Sequence, residues 1–202
     1  MRGEKVRKPI EYIASLNTLL ALKPEIILPS HLAPIRGAQN IAADMRKIRD
    51  AVQYVHDETV AGMNAGYSLE TVMAEITLPE DLTLSQSHGK VSWAVKSIWE
   101  YYATWFHFDR TSELYPTSQR AILADVAHLI DLDAAQLQVQ IYLNEAEPEK
   151  ALLLLELLEG STASETLRAL RTQTLLQLKR QAEPVGNDYE LYWLDSELDK
   201  LR

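Results

Sequence analysis

The chain has 202 residues, 47% of them apolar and 24% charged, enough for one or two domains with a packed core and far from the compositions of collagen-like or disordered proteins. It has no Cys, so neither disulfides nor thiolate metal ligands contribute to its fold or chemistry. The net charge of −9 is unevenly spread: residues 1–50 carry nine Lys/Arg against five Asp/Glu, while residues 51–202 balance at −13, and an acidic body speaks against nucleic-acid binding.

Met1 is followed by Arg-Gly-Glu-Lys-Val-Arg-Lys-Pro where a secretory signal would place an apolar stretch of about 7–15 residues. No run approaches the ~20 apolar residues of a membrane span. The expectation is a chain that is neither exported nor inserted from this start, with the cytoplasm favoured. The basic residues Arg2, Lys5, Arg7 and Lys8 read either as a solvated charged stretch or as an attraction for an anion.

From Pro9 to Leu22, apolar residues at Ile10, Ile13, Leu16, Leu19 and Leu20 repeat near 3.6, and Lys23-Pro24 ends the helix they predict. Ile26-Ile27-Leu28 follows as a short buried strand, then a loop with His31. One strand makes no sheet, so its hydrogen-bonding neighbours are expected from elsewhere. A histidine just past a strand is the placement of a metal ligand, but zinc takes three or four protein ligands, and no other His precedes His31.

A long helix is predicted from Gly37 to about Gly66, with Ile41, Met45, Ile48, Val52, Val55, Thr59 and Met63 stepping by four and three. A seam this long is covered by a neighbouring helix or by a second subunit. Its His56-Asp57-Glu58 triplet points in directions about 100° apart, which predicts a solvated or capping role over a converging site. Residues Val91 to Phe108 hold Trp93, Trp99, Tyr101, Tyr102, Trp105, Phe106 and Phe108, seven of the fifteen aromatics. Aromatic on several faces, this segment is expected in a bundle core or at a subunit contact, with an aromatic substrate wall as the alternative.

Five shorter helices are predicted after it: Ser118–Ile130, Asp133–Glu145, Pro148–Glu159, Ser164–Gln181 and Asp188–Leu201. The segment from Glu147 to Leu158 resembles the second helix of a tetratricopeptide-type repeat, and Ala163 to Leu178 the first helix of the next. One and a half repeats are too few for a solenoid, so these helices are expected to extend the preceding bundle. The fold class is therefore mainly α, a helical bundle with TPR-like C-terminal helices after one helix-strand unit.

Three blocks carry a resemblance that periodicity does not supply: Pro24-Glu-Ile-Ile-Leu-Pro-Ser-His31 with Pro34 and Gly37; His56-Asp-Glu-Thr-Val-Ala-Gly-Met-Asn64; and Gly89-Lys-Val-Ser-Trp93 through Trp99 and Trp105-Phe106 to Glu113-Leu-Tyr-Pro116. In this order they resemble the metallo-β-lactamase-fold alkyl sulfatases, from near Met1 to the end of that family's dimerisation region. The resemblance implies that residues 1–36 are the last helix, strand and ligand loop of a metal domain and residues 37–202 an all-α dimerisation domain. It also implies a hydrolase of alkyl sulfate esters with two zinc ions per site, to which His31 contributes the final metal-ligand histidine.

That family's His-x-His-x-Asp-His cluster and acidic ligands are not in this sequence, so zinc is not expected to bind this chain tightly and no residue here is assigned as catalytic. Arg2 and His88 are candidate substrate contacts. Ile41, Met45, Ile48, Val52, Val55, Trp93, Trp99, Tyr102 and Trp105 are the candidate interface of a homodimer. Three departures stand out: Ser30-His31-Leu32 replaces a Gly-His-Gly pattern, His88 stands where an aromatic is common, and Thr104 stands where glycine is usual.

Three functions compete. The chain is the C-terminal portion of an alkyl sulfatase, completed by a metal domain on the same or a separate chain and acting on alkyl sulfates only then. Alternatively it is a freestanding, catalytically inactive helical interaction module. The third is a hydrolase built from His31, His56, His88, His107 and His128, which no ligand spacing supports.

Overall fold

A computed structural model describes residues 8–107, 110–158 and 164–202, and the chain divides into two compact units, 1–107 and 108–202. The first unit opens with α1 (Pro9–Ala21), started by a proline at its first position, where a missing N–H costs nothing. Ile13 and Leu16 are its buried face, and α1 packs along α2 (Ala38–Asn64). Between them, β1 (Ile26–Ile27) pairs antiparallel with β2 (Ile35–Arg36), with Ile26 opposite Arg36 and Ile27 opposite Ile35. The expected strand thus finds its partner nine residues further on, not outside the chain, and it is not buried: Ile26 is 47% exposed.

The C-terminus of α2 closes through Gly66, whose φ of +77° lets the Tyr67 N–H reach the Gly62 carbonyl and its own N–H the Met63 carbonyl. This paired closure caps carbonyls that the helix leaves unbonded. A short helix that the periodicity does not announce, α3 (Leu69–Glu75), begins at once, with the Ser68 hydroxyl accepting from the Thr71 N–H. The last helix of the unit is α4 (Val91–Ala103). Val55, Val72, Val95 and Ile98 form the core where α2, α3 and α4 meet, with Tyr54, Met73 and Trp99 packed around it.

Ile41 and Val55 are 1% and 5% exposed within the chain itself, so they are interior residues of this unit. In the aromatic segment Trp105 is 71% exposed and Tyr102 42% within the chain, so these two do not lie in a bundle core. The helix stops at Ala103, and Trp105 is carried beyond it on Thr104, at φ +65° and ψ −154°. Phe108, named with this segment, lies outside the described residues.

In the second unit, 3₁₀ turns at Thr111–Leu114 and Gln119–Ile122 lead into α5 (Leu123–Leu129), α6 (Leu132–Asn144), α7 (Pro148–Leu157), α8 (Glu165–Ala182) and α9 (Asp188–Asp199). Each of α6 to α9 packs on the next, and α6 also reaches α8. Val139, Leu143, Ala151, Leu155 and Leu170 form one core cluster, and Leu175, Ala182 and Leu194 a second. The starts are set by side chains: Asp131 caps α6, Ser164 caps α8, and the fully buried Asn187 accepts from the Glu190 N–H at the head of α9.

Candidate functional site

His31 lies in the seven-residue loop that joins β1 to β2 and is exposed. The next residue, Leu32, has a φ of +70° and is 98% exposed, so a branched apolar side chain occupies a left-handed backbone position and buries nothing in return. Of the three positions at which the resemblance sets a glycine, Leu32 and Thr104 have positive φ and Ser30 does not.

Among the described residues no group of three His, Asp or Glu side chains is placed to hold a metal ion. Arg2 lies outside the described residues. His88 is exposed and its Nδ1 is 2.8 Å from the Ser87 hydroxyl, His107 Nε2 is 3.1 Å from Glu100 Oε2, and His128 is exposed at the end of α5 in the other unit. Among the described residues, therefore, the five histidines do not assemble a zinc site by themselves, and the donors do not fit a complete di-zinc centre.

The one histidine that the fold encloses is His56, 8% exposed on α2. Its Nδ1 is 2.7 Å from Asp57 Oδ1, and its Nε2 is 2.7 Å from the Tyr102 hydroxyl on α4. The expectation of a solvated or capping role is therefore corrected for His56. The 100° rule describes where side chains leave the helix, but Nδ1 lies close to the backbone and a short carboxylate on the next residue curls back to meet it. Gln53, one turn earlier, donates to the same Asp57 oxygen at 2.8 Å and holds it in place. Glu58 is exposed and takes no part in these bonds.

Donor and acceptor rules fix the proton order in this chain. An ionised Asp57 only accepts, so His56 carries a proton on Nδ1; a neutral His56 then has a bare Nε2 that accepts from the Tyr102 O–H. The Tyr102 phenol is held above the ordinary tyrosine range, first by desolvation, then by the neighbouring Tyr101, Glu11 and Asp57. Sequence spacing gives no hint of a bond between residues 46 apart. Burial of His56 did have a signal: on α2 it stands four residues after Val52 and three before Thr59, the separations that share a helix face.

An apolar cavity of about 170 Å³ opens between α2, the segment after α3 and the head of α4, lined by Val52, Val55, Leu78, Leu84, Val91 and Ile98 among others. Lys90 stands at its rim, with its ammonium 5.9 Å from the centre of the Trp93 ring. Met45, Ile48, Val52, Trp93 and Trp99 are all half-buried, and Trp99 packs on the core of the unit.

No family model matches the chain. It is 33% identical over 114 residues to a linear primary-alkylsulfatase of Pseudomonas sp. (strain ATCC 19151), a match covering 54% of this chain and 22% of that protein. It is 26% identical over 113 residues to the alkyl/aryl-sulfatase BDS1 of Saccharomyces cerevisiae, covering 52% and 18%. In structure it is similar to the stereoselective inverting sec-alkylsulfatase Pisa1 from Pseudomonas sp., with a TM-score of 0.83 at 19% identity over 100% of this chain and 33% of that one. A double mutant of the same sulfatase gives a TM-score of 0.80 over 94% and 32%. Sequence relatives and structural neighbours alike are alkyl sulfatases, in agreement with the resemblance of the three sequence blocks. The chain spans about a fifth of the length of the curated relatives and a third of the solved neighbours.

Proposed function

We propose that, like the part of the alkyl sulfatases it matches, this chain is the C-terminal portion of a zinc-dependent sulfuric ester hydrolase, supplying His31 as a single metal ligand and the helices of a homodimer. The observation that carries the reading is the coincidence of the whole fold with one third of a sec-alkylsulfatase, together with 33% identity to a primary-alkylsulfatase over half the chain. The exposed apolar residues of the N-terminal end support it: Leu22, Leu28 and Leu32 are 71%, 76% and 98% exposed, on the elements where a metal domain would adjoin. A monomer gains nothing by leaving them in water, and a covering domain would remove them from it.

In this reading the remaining zinc donors come from a metallo-β-lactamase-type domain on the same polypeptide or a separate chain, and His31 has meaning only when they are supplied. The test is to join the metal-domain portion of the Pseudomonas linear primary-alkylsulfatase to this chain, by fusion or co-expression. Hydrolysis of a medium-chain alkyl sulfate is expected from the combination, with loss in His31→Ala. Full activity in that variant would remove the metal role from His31, and turnover by the isolated chain, abolished by chelator and restored by zinc, would overturn the portion reading altogether. The second reading is a helical interaction module without catalysis, which needs no group of three metal donors, and none is placed together among the described residues. It predicts dimerisation without activity in any combination.

A further inference from the structure

We propose that Asp57 and His56 are positioning residues that act through Tyr102: their hydrogen-bond chain sets whether the exposed face of the Tyr102 hydroxyl accepts a proton bond or donates one to an oxyanion. The inference rests on the sulfatase reading only for the kind of oxyanion, a sulfate monoester. The chain itself is a matter of geometry, with both links at 2.7 Å, one end in the carboxylate of Asp57 and the other in a phenol that is 42% exposed.

With His56 neutral, the phenol proton is committed inward to Nε2, and only oxygen lone pairs face outward. A sulfate ester offers acceptors alone, so it finds no bond there. When His56 takes a second proton, both ring nitrogens are donors. Nε2–H then donates to the phenol oxygen, and the O–H is released to point outward. One proton bound at His56 is thus exchanged for one donor presented by Tyr102.

Charge acts in the same direction. The groups that bear on this chain are Asp57 and Gln53 from α2, Tyr101 beside Tyr102 on α4, and Glu11 from α1. Glu11 is itself 3.5 Å from the Lys8 ammonium, which offsets part of its charge, and Asp57 together with what remains of Glu11 sets a negative potential at the phenol oxygen. A neutral His56 leaves that potential uncompensated, whereas an imidazolium offsets it beside the oxygen that must meet an anion. Asp57 holds the ring so that Nε2, and not Nδ1, faces Tyr102, the same service that a second hydrogen bond performs for other histidines.

The experiment follows the imidazole nitrogens of the full chain by NMR with ¹⁵N-labelled histidine, His56 being assigned by its absence in His56→Gln. Three results are expected. Above its titration the neutral ring carries its proton on Nδ1. Adding n-butyl sulfate, against sodium chloride at equal ionic strength, raises the His56 titration midpoint in the native chain and leaves it unmoved in Tyr102→Phe. Binding of n-butyl sulfate weakens about tenfold per pH unit above that midpoint, the slope of one linked proton. His56→Leu, which offers the phenol no inward acceptor and leaves its O–H free to donate outward at every pH, keeps binding and loses the pH slope while circular dichroism shows it folded. A neutral ring protonated on Nε2, a midpoint indifferent to n-butyl sulfate, or an equal response in Tyr102→Phe would each overturn the proposal. None of these readouts needs a metal domain or turnover, so the proposal fails or stands separately from the sulfatase reading.

Discussion

Thr104→Gly should stabilise the first unit. Thr104 caps the C-terminus of α4 at φ +65° and ψ −154°, a region that is essentially glycine's own, and its β-branched side chain is exposed, so nothing it buries offsets the strain. Releasing a non-glycine residue from such a conformation gains about 1–3 kcal/mol. Against it stands the extra freedom of glycine in the unfolded chain, about 0.4–1 kcal/mol. The net expectation is a gain of about 1 kcal/mol. Urea unfolding followed by tryptophan fluorescence is the assay, since Trp93, Trp99 and Trp105 of the four tryptophans lie in this unit. The midpoint should rise at constant slope, which separates a change in stability from a change in the unfolded state. Thr104→Ala is the control: alanine has a Cβ and meets the same backbone restriction, so it should recover little. An unchanged or lower midpoint in Thr104→Gly, or an equal rise in Thr104→Ala, would refute the strain argument.

At the α2–α3 junction, Gly62→Ala should destabilise by about 1 kcal/mol or more in thermal unfolding, although alanine is the better helix former, because its Cβ would sit 2.7 Å from a methyl of the buried and stiff Val72. Asn187→Ala in the second unit should cost about 1–2 kcal/mol, read as a lower unfolding midpoint, because it removes the cap of α9 from a fully buried position. Sedimentation of the native chain should show a dimer, and Trp105→Ala should weaken it about 30-fold, the equivalent of an anchor worth ~2 kcal/mol; a folded monomer at roughly tens of micromolar would sink the dimer. Trp105 is the better probe than Trp99, because Trp99 packs on the core and its loss would disturb the fold as well.

Helices were legible wherever a local signal bounded them. Pro9, Lys23-Pro24, Gly66 and Pro148 mark ends that the structure places within a residue or two of the expected positions. What was not legible depended on pairing and on exposure. A two-residue strand has too little length to show a period, so β2 gave no sign and β1 looked orphaned. The α3 helix, seven residues long, is announced only by the Ser68 cap. Aromatic content told that the segment from Trp93 onward has surface to bury, but composition carries no direction: Trp99 packs on the core while Tyr102 and Trp105 stay in water.

The same contrast separates the two histidines that matter. His31 is the residue the motif singled out, yet it stands exposed on a loop and belongs to no group of three donors among the described residues, because a metal ligand is a property of the set and not of any one member. His56 looked like one charge in a polar triplet and proves to be enclosed, with both ring nitrogens bonded across two helices. Its partner Tyr102 was read by its aromatic surface alone, although a phenol also has an oxygen that must find a bond when its ring is half-buried. A polar handle on an amphipathic residue therefore calls for the question of where its partner lies. For Tyr102 the answer is the opposite helix, at the one histidine whose neighbours on the same helix face, Val52 and Thr59, already marked it as facing inward.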